Sequence, residues 1–324
     1  MNNFFCSDNS RKVGENIIGT ASNNETYILI ECPQPWVSNA FASKWVPENL
    51  NVLVKEVKQS KLPIKFLLIA NNSSHKVNKT TLLIYEKKKG FISGYSKREF
   101  QLESIEQAAI TFKKWFAGKS VPYEVESNIK RDILICTHGS HDKCCARYGN
   151  PFYFYGSQMI SDLGWDEVRI WKSSHFGGHR FAPTMIDLPD GRYYGRLDNN
   201  SFESVLSHTG NIENLKNQYR GWGILPKPLQ VMEQELMLRY GWDWFTYRVR
   251  GKVLQQDTIK DVIQGEITFI MPDESLYTYQ GKLVQDNQST VEIKTACNTQ
   301  DTSICSKYVL TNLSLTTKKA ISRV

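Results

Sequence analysis

Long apolar runs are missing from this sequence. The most hydrophobic stretches, such as Phe66 to Ala70, fall far short of the roughly 18 consecutive apolar residues that a membrane-spanning helix needs. Met1 to Asn9 is polar and lacks a basic region followed by an apolar stretch of about 7 to 15 residues, so no export signal is read there and a cytoplasmic protein is expected. No C-x-x-C pair occurs, which argues against dithiol exchange of the thioredoxin type. No H-E-x-x-H occurs, which removes the zinc-protease helix. Dense charge is scarce as well. The only tight basic run is Lys87, Lys88 and Lys89, read as a solvated turn. The 40 Lys and Arg residues are dispersed among 33 Asp and Glu, so the net charge of +7 points to neither nucleic acid nor a membrane surface.

What is present is globular. Of the 324 residues, 40% are hydrophobic and 12% aromatic, enough for a sizeable core and for more than one unit of roughly 100 to 200 residues. Trp36, Trp222, Trp242 and Trp244 are assigned to that core. Seven cysteines is an odd number. Cys6, Cys32, Cys297 and Cys305 are scattered and read as free thiols of a reducing compartment, while the other three cluster at 136 to 145. His75 and His208 are likewise read as packed or surface residues.

Runs of β-branched and aromatic residues predict strands at Tyr27 to Cys32, Ile64 to Ala70, Thr81 to Tyr85 and Phe91 to Tyr95, with helices at Asn49 to Gln59 and Ser104 to Phe116. The same order returns later. Strand Asp132 to Cys136, helix Pro151 to Leu163, strands Glu167 to Trp171, Phe181 to Leu188 and Arg192 to Leu197, and helix Ser201 to His208 repeat it. Residues echo faintly too: Cys32 ends the first strand as Cys136 ends its counterpart, Ser73-Ser74-His75 answers Ser173-Ser174-His175, and Lys79 stands where His179 would be. The expectation is an α/β protein made of two thioredoxin-like α/β units, the first degenerate, followed by a small helical and β-hairpin C-terminal region. Its segments are 1–122, 128–222 and 223–324. The last holds a helix at Leu229 to Tyr240 and hairpin strands at Tyr247 to Leu254, Glu266 to Met271, Leu276 to Val284 and Val291 to Lys294.

The chemistry concentrates in seventy or so residues. Cys136-Thr-His-Gly-Ser-His-Asp-Lys-Cys-Cys145 follows a strand and offers a C-x8-C pair across a polar loop, and His175-Phe-Gly-Gly-His179 follows after β-rich sequence. Thiolates hold iron–sulfur clusters, and imidazoles can replace two of them on one iron. Gly177 and Gly178 oppose a helix between the histidines and allow positive φ, so both rings can turn from a loop toward one metal centre. Cys136, Cys145, His175 and His179 are the candidate ligands. A structural zinc site with two Cys and two His is the rival, although its usual cysteine spacing is tighter. A thiol oxidoreductase using Cys144 and Cys145 is a third reading, which adjacent cysteines fit poorly. Cys136-Thr137-His138 reads like half a Rieske site, but no second C-x2-H follows, so His138 is assigned to the loop rather than the ligand set.

These blocks resemble the sucrase/ferredoxin-like family. The matching residues are Cys136 through Cys145, Ser174-His175-Phe-Gly-Gly-His179-Arg-Phe-Ala182 and Tyr194-Gly195-Arg196, with weaker similarity at Gly19-Thr20-Ala21 and Gly221-Trp222-Gly223. The resemblance implies a thioredoxin-fold ferredoxin whose non-Rieske [2Fe-2S] cluster takes two cysteines from the first loop and two histidines from H-x3-H. Those roles fall on Cys136, Cys145, His175 and His179, with vicinal Cys144 as the alternative to Cys145. The name also implies glycoside hydrolysis, but no pair of carboxylates supports it. A non-enzymatic electron carrier is therefore expected, with Arg180 and Arg196 available to steer an acidic redox partner. Two thiolates rather than four leave the oxidised cluster neutral, so its potential should lie above that of an all-cysteine ferredoxin.

Overall fold

The computed structural model describes residues 4–71 and 79–320. The chain opens with helix α1 (Cys6–Lys12), strand β1 (Thr26–Glu31) and helix α2 (Glu48–Gln59). Strands β2 (Ile64–Ala70), β3 (Thr80–Lys87) and β4 (Tyr95–Leu102) follow, then helix α3 (Ala108–Phe116) and the short strand β5 (Glu124–Val125). Next come β6 (Arg131–Cys136), α4 (Lys143–Asp162), β7 (Val168–Ser173), β8 (Thr184–Leu188) and β9 (Arg192–Gly195). The remainder is α5 (Asn199–Ser207), β10 (Tyr219–Trp222), α6 (Lys227–Tyr240), β11 (Arg248–Asp257), β12 (Val262–Ile270), β13 (Ser275–Ile293) and β14 (Ser303–Ala320). The fold class is α/β with a C-terminal antiparallel sheet. No helix among the described residues is long and apolar enough to cross a membrane.

The residues gather into two compact units, one of Asn24–Lys87 with Tyr95–Pro189, the other of Met1–Asn23, Lys88–Gly94 and Asp190–Val324. The chain-order segments 1–122, 128–222 and 223–324 divide the molecule differently, because β1–β4 and β6–β8 share one sheet within the first unit.

In that unit the strands run β8-β6-β7-β2-β1-β3-β4-β5. β1 and β2 are parallel with α2 between them in sequence, and β6 and β7 are parallel with α4 between them. Each pair carries an antiparallel outer strand, β3 on β1 and β8 on β6, and the halves meet where β2 pairs antiparallel with β7. Sheet order and direction are thus those of two βαββ halves related by an approximate two-fold, the repeat visible in the sequence. Leu50, Leu53 and Val57 of α2 and Ala108, Ala109 and Phe112 of α3 pack with Ile28, Leu68, Ile84 and Phe100 of the strands into one apolar core. Cys32 lies in it, its thiol pushed up to about 12 by burial, partly countered by a hydrogen bond with Trp36. The Ser73-Ser74-His75 echo lies outside the described residues; Lys79 pairs with Glu103 at 3.7 Å.

Among the differences from expectation, three have a clear physical reason. β4 begins at Tyr95, where Phe91 to Tyr95 was expected; its inward-facing Glu99 is buried in an ion cluster, which hides the strand's apolar alternation. Helix α4 starts at Lys143, eight residues before Pro151, and runs through that proline at the cost of the hydrogen bond it cannot donate. β14 was not anticipated, since its Thr- and Lys-rich sequence has one thinly covered face.

In the second unit β9 and β10 pair antiparallel and β11–β14 form a meander. Gly251, Gly265 and Gly281 lie on its first three strands, where an added Cβ would come within 2.9, 2.3 and 3.2 Å of Leu229 or Met232 side-chain atoms, so α6 packs close on this sheet. Trp222 and Trp244 are buried as core residues. The Arg192 guanidinium stacks 3.8 Å from Trp222 and 4.0 Å from Phe245, and donates to Glu233 and Tyr219.

Candidate metal centre

The site grows from the register of β6 and β7. Cys136, the last residue of β6, pairs with Ser173, the last of β7, so both chains leave the sheet at one level. The carboxyl ends of adjacent parallel strands are where α/β folds place ligands. After β6 the chain turns through 137–142 and enters α4, where Asp142 caps the helix by accepting from the Cys144 N–H at 2.9 Å. Cys145 therefore sits in the first helical turn rather than in a polar loop. Gly149 lets α4 lie against the end of β6, because a Cβ there would fall 2.0 Å from the Cys136 carbonyl oxygen. After β7, Ser174 ties the second loop to β2, its N–H donating to Leu68 at 2.8 Å and its hydroxyl oxygen accepting from Leu68 at 3.0 Å. Gly177 and Gly178 then take φ of +105° and +82°, and Gly178 leads into the short turn His179–Phe181.

These elements bring the four candidate residues to one place. The Sγ atoms of Cys136 and Cys145 each lie 3.7 Å from His175 Nδ1. Donor atoms of Cys136, Cys145 and His175 are all within 4.8 Å of one another, and so are those of His141, His175 and His179. Two donor groups thus share His175. The sulfur group is buried, both cysteines being 1% exposed, while the three histidines of the other group are only half-buried. Cys144 belongs to neither group.

Electrostatics keep the donors ready. Burial first, and then the charges of His141, His179, Lys65 and His138, push His175 down to about 2, so its ring stays neutral with a lone pair available. Burial would raise the Cys136 thiol, but a hydrogen bond from Cys145, backbone N–H groups of His138 and Phe176, and the Lys65 charge hold it below the usual range. Cys145 is raised well above that range by hydrogen bonding to Cys136, then by burial. The pair thus favours its thiolate on Cys136.

His138 acts as a clamp. Its Nε2 donates to the Val37 carbonyl at 2.8 Å while its Nδ1 accepts from the His175 backbone N–H at 3.2 Å, a pattern that requires the neutral ring; burial lowers its pKa accordingly. Asp142 Oδ2 lies 3.8 Å from His179 Nε2. The sequence had singled out His138 as a non-ligand but had not singled out His141, whose ring stacks on His175 at 3.9 Å between centroids and 17° between planes. The only signal for it was a second histidine inside Cys136–Cys145. Arg180 sits beside His179 with its guanidinium 4.4 Å over Phe181, whereas Arg196 belongs to the other unit and donates to Ser10.

Thiol and imidazole donors in two adjoining groups could hold a metal. No curated protein and no solved structure matches the chain. A family model described as sucrase/ferredoxin-like matches residues 17–221, a span that contains both cysteines and every histidine of the two groups. With more than half of its length matched in that way, the chain belongs to the sucrase/ferredoxin-like family.

Proposed function

We propose that the protein holds a [2Fe-2S] cluster through Cys136, Cys145, His175 and His179 and carries single electrons for an acidic protein partner. The observation that supports this best is the pair of donor groups sharing His175, one sulfur-rich and buried, the other all imidazole and half-buried. Two positions side by side suit a two-metal group with thiolates at its inner end and imidazoles at its outer end. Bound there, the cluster supplies a one-electron couple. The chain supplies the rest. Cys136 and Cys145 give negative charge at the buried end, His138 fixes the backbone of His175, and Asp142 stands within reach of the His179 ring to orient it. Phe176 and Phe181, each 1% exposed, help keep water from the inner end. Arg180 puts a cation beside the half-buried histidines, where an acidic partner would approach. Free thiols throughout fit a reducing, cytoplasmic setting.

One observation favours a second reading, a single zinc ion. Sulfur and nitrogen ligands on one tetrahedral zinc stand about 3.6 Å apart, given Zn–S of about 2.3 Å and Zn–N of about 2.0–2.1 Å. The Sγ to Nδ1 separation is 3.7 Å. Against it, His179 is absent from the group that contains the sulfurs, so the four candidates do not converge on one point. The two readings separate on an anaerobic preparation examined by visible absorbance and by iron and sulfide analysis, comparing the parent with His175→Ala and Cys145→Ser. A red-brown protein with equal iron and sulfide, altered in both variants, is expected. A colourless protein with one zinc would overturn the electron-transfer reading.

A further inference from the structure

A cavity of about 540 Å³ opens beside the histidines, bounded by α2, β2 and the segment 38–41. Its size falls within the roughly 300–1,000 Å³ of small-molecule sites. Val54 and Val57 from α2, and Ile64 and Phe66 from β2, give it an apolar side, and His141 and His175 line it as well. Its charged lining residues are Lys58 and Lys65, with no carboxylate among them. Neither ammonium has a carboxylate partner in this lining, and the Cys136 thiolate of the neighbouring donor group acts on Lys65 from outside it. Burial holds Lys65 below its usual range; the Cys136 thiolate opposes this and the Lys58 charge adds to it. Two like charges beside an apolar wall repel, and an anion placed between them would relieve that repulsion where water screens it least.

We infer that this cavity binds a small organic anion with a flat apolar body, its carboxylate held by Lys65 and Lys58 and its ring lying among Phe66, His141 and His175. A concave apolar wall calls for a ring as much as the lysines call for charge, which favours a small aromatic acid over the acidic side chain of a docked protein. Binding requires the cavity and the two lysines, and metal content is followed alongside it because Lys65 acts on Cys136 and His175 lines the cavity. An occupant would also cover His175, the imidazole common to both donor groups.

The full chain, as purified, is titrated with 2-naphthoate and with uncharged 2-naphthamide by calorimetry, with metal content measured on the same samples and the histidine ring resonances followed by NMR. Saturable one-to-one binding of naphthoate, at least about tenfold tighter than the amide, is expected, with a shift of the His141 resonances. Lys65→Met should weaken naphthoate about tenfold and Lys58→Met by less, while both leave the amide's affinity unchanged, which also shows that the variants fold. Lys282→Met, a lysine of β13 outside the cavity, should change nothing. Equal affinity for acid and amide, undiminished naphthoate binding in Lys65→Met, or no saturable binding at millimolar naphthoate would each overturn the assignment. Lost metal with retained naphthoate binding would count against the metal-centre reading alone.

Discussion

The two ends of strand β6 solve opposite problems. At its start Asp132 is 0% exposed and fully answered by the protein: Tyr85 donates at 2.5 Å, Trp171 at 2.8 Å and Arg169 at 2.7 Å, with Lys97 at 3.0 Å. Arg169 in turn donates to Glu99 with both of its terminal nitrogens at 3.0 Å. At its end Cys136 is just as buried, yet the groups facing it are a second thiol and an imidazole, donors of the same kind. A buried charge with a structural task is completed by opposite charge from the chain itself. Soft donors that converge on one another find only the Lys65 charge and backbone N–H groups as complement within the chain, and a metal ion could complete them.

The largest test of this contrast is Asp132→Ala. It leaves Lys97 and Arg169 to share Glu99 alone and strips Tyr85 and Trp171 of their acceptor, and should cost about 3–5 kcal/mol in urea unfolding, while the folded fraction still binds metal. A loss under about 1 kcal/mol would mean that the cluster at this end is not self-contained. Gly149→Ala strikes the other end, forcing α4 away from the Cys136 carbonyl; overpacking of about 1–3 kcal/mol is expected together with loss of metal, read by denaturation and metal analysis. His138→Ala removes the link between Val37 and His175, and should cost about 1 kcal/mol in the metal-free protein but about 10–100-fold in metal affinity. Equal effects with and without metal would make His138 a packing residue only.

Acid should distinguish the ends more gently. Burial alone would raise the Asp132 carboxyl, but Arg169 and then Lys97 hold it below its ordinary value. A depressed carboxyl contributes stability that is complete above the unfolded value of about 3.9 and is lost as pH falls through the native value. Urea midpoints of metal-free protein should therefore hold steady from pH 7 to about 5 and fall below about 4, with a flatter acid limb in Asp132→Asn. The smallest effect is expected from Cys144→Ser, which lies outside both donor groups: unchanged metal content and about 1 kcal/mol or less of stability. Loss of metal there would make Cys144 a participant in holding it.

The contrast was half legible in the sequence. Strands such as Ile64–Ala70 and Arg131–Cys136 contain continuous apolar runs, Phe66 to Ala70 and Ile133 to Cys136, and buried strands declare themselves that way. Cys136, Cys145, His175 and His179 stood out because their residue types and glycines are informative without coordinates. What stayed hidden depends on neighbours distant in the chain. Glu99 looks like a surface residue until Arg169 arrives seventy positions later, and its strand was misplaced for that reason. Asp142 caps α4, but Pro151 offered a more conspicuous helix start. The value of His138 lies in Val37, about a hundred residues away, and His141 is positioned by stacking rather than by spacing.

The pairing of β6 with β7 from Arg131↔Val168 to Cys136↔Ser173 sets how this region tolerates changes in length. A residue inserted or deleted within either strand would turn the following side chains to the opposite face and shift one loop relative to the other by a strand residue, about 3.3 Å. The connection from Leu163 to Glu167, at the opposite end of β7, carries no candidate ligand and could lengthen without disturbing that level. Homologous chains should therefore vary in length at 163–167 and keep a fixed count through 131–136 and 168–173.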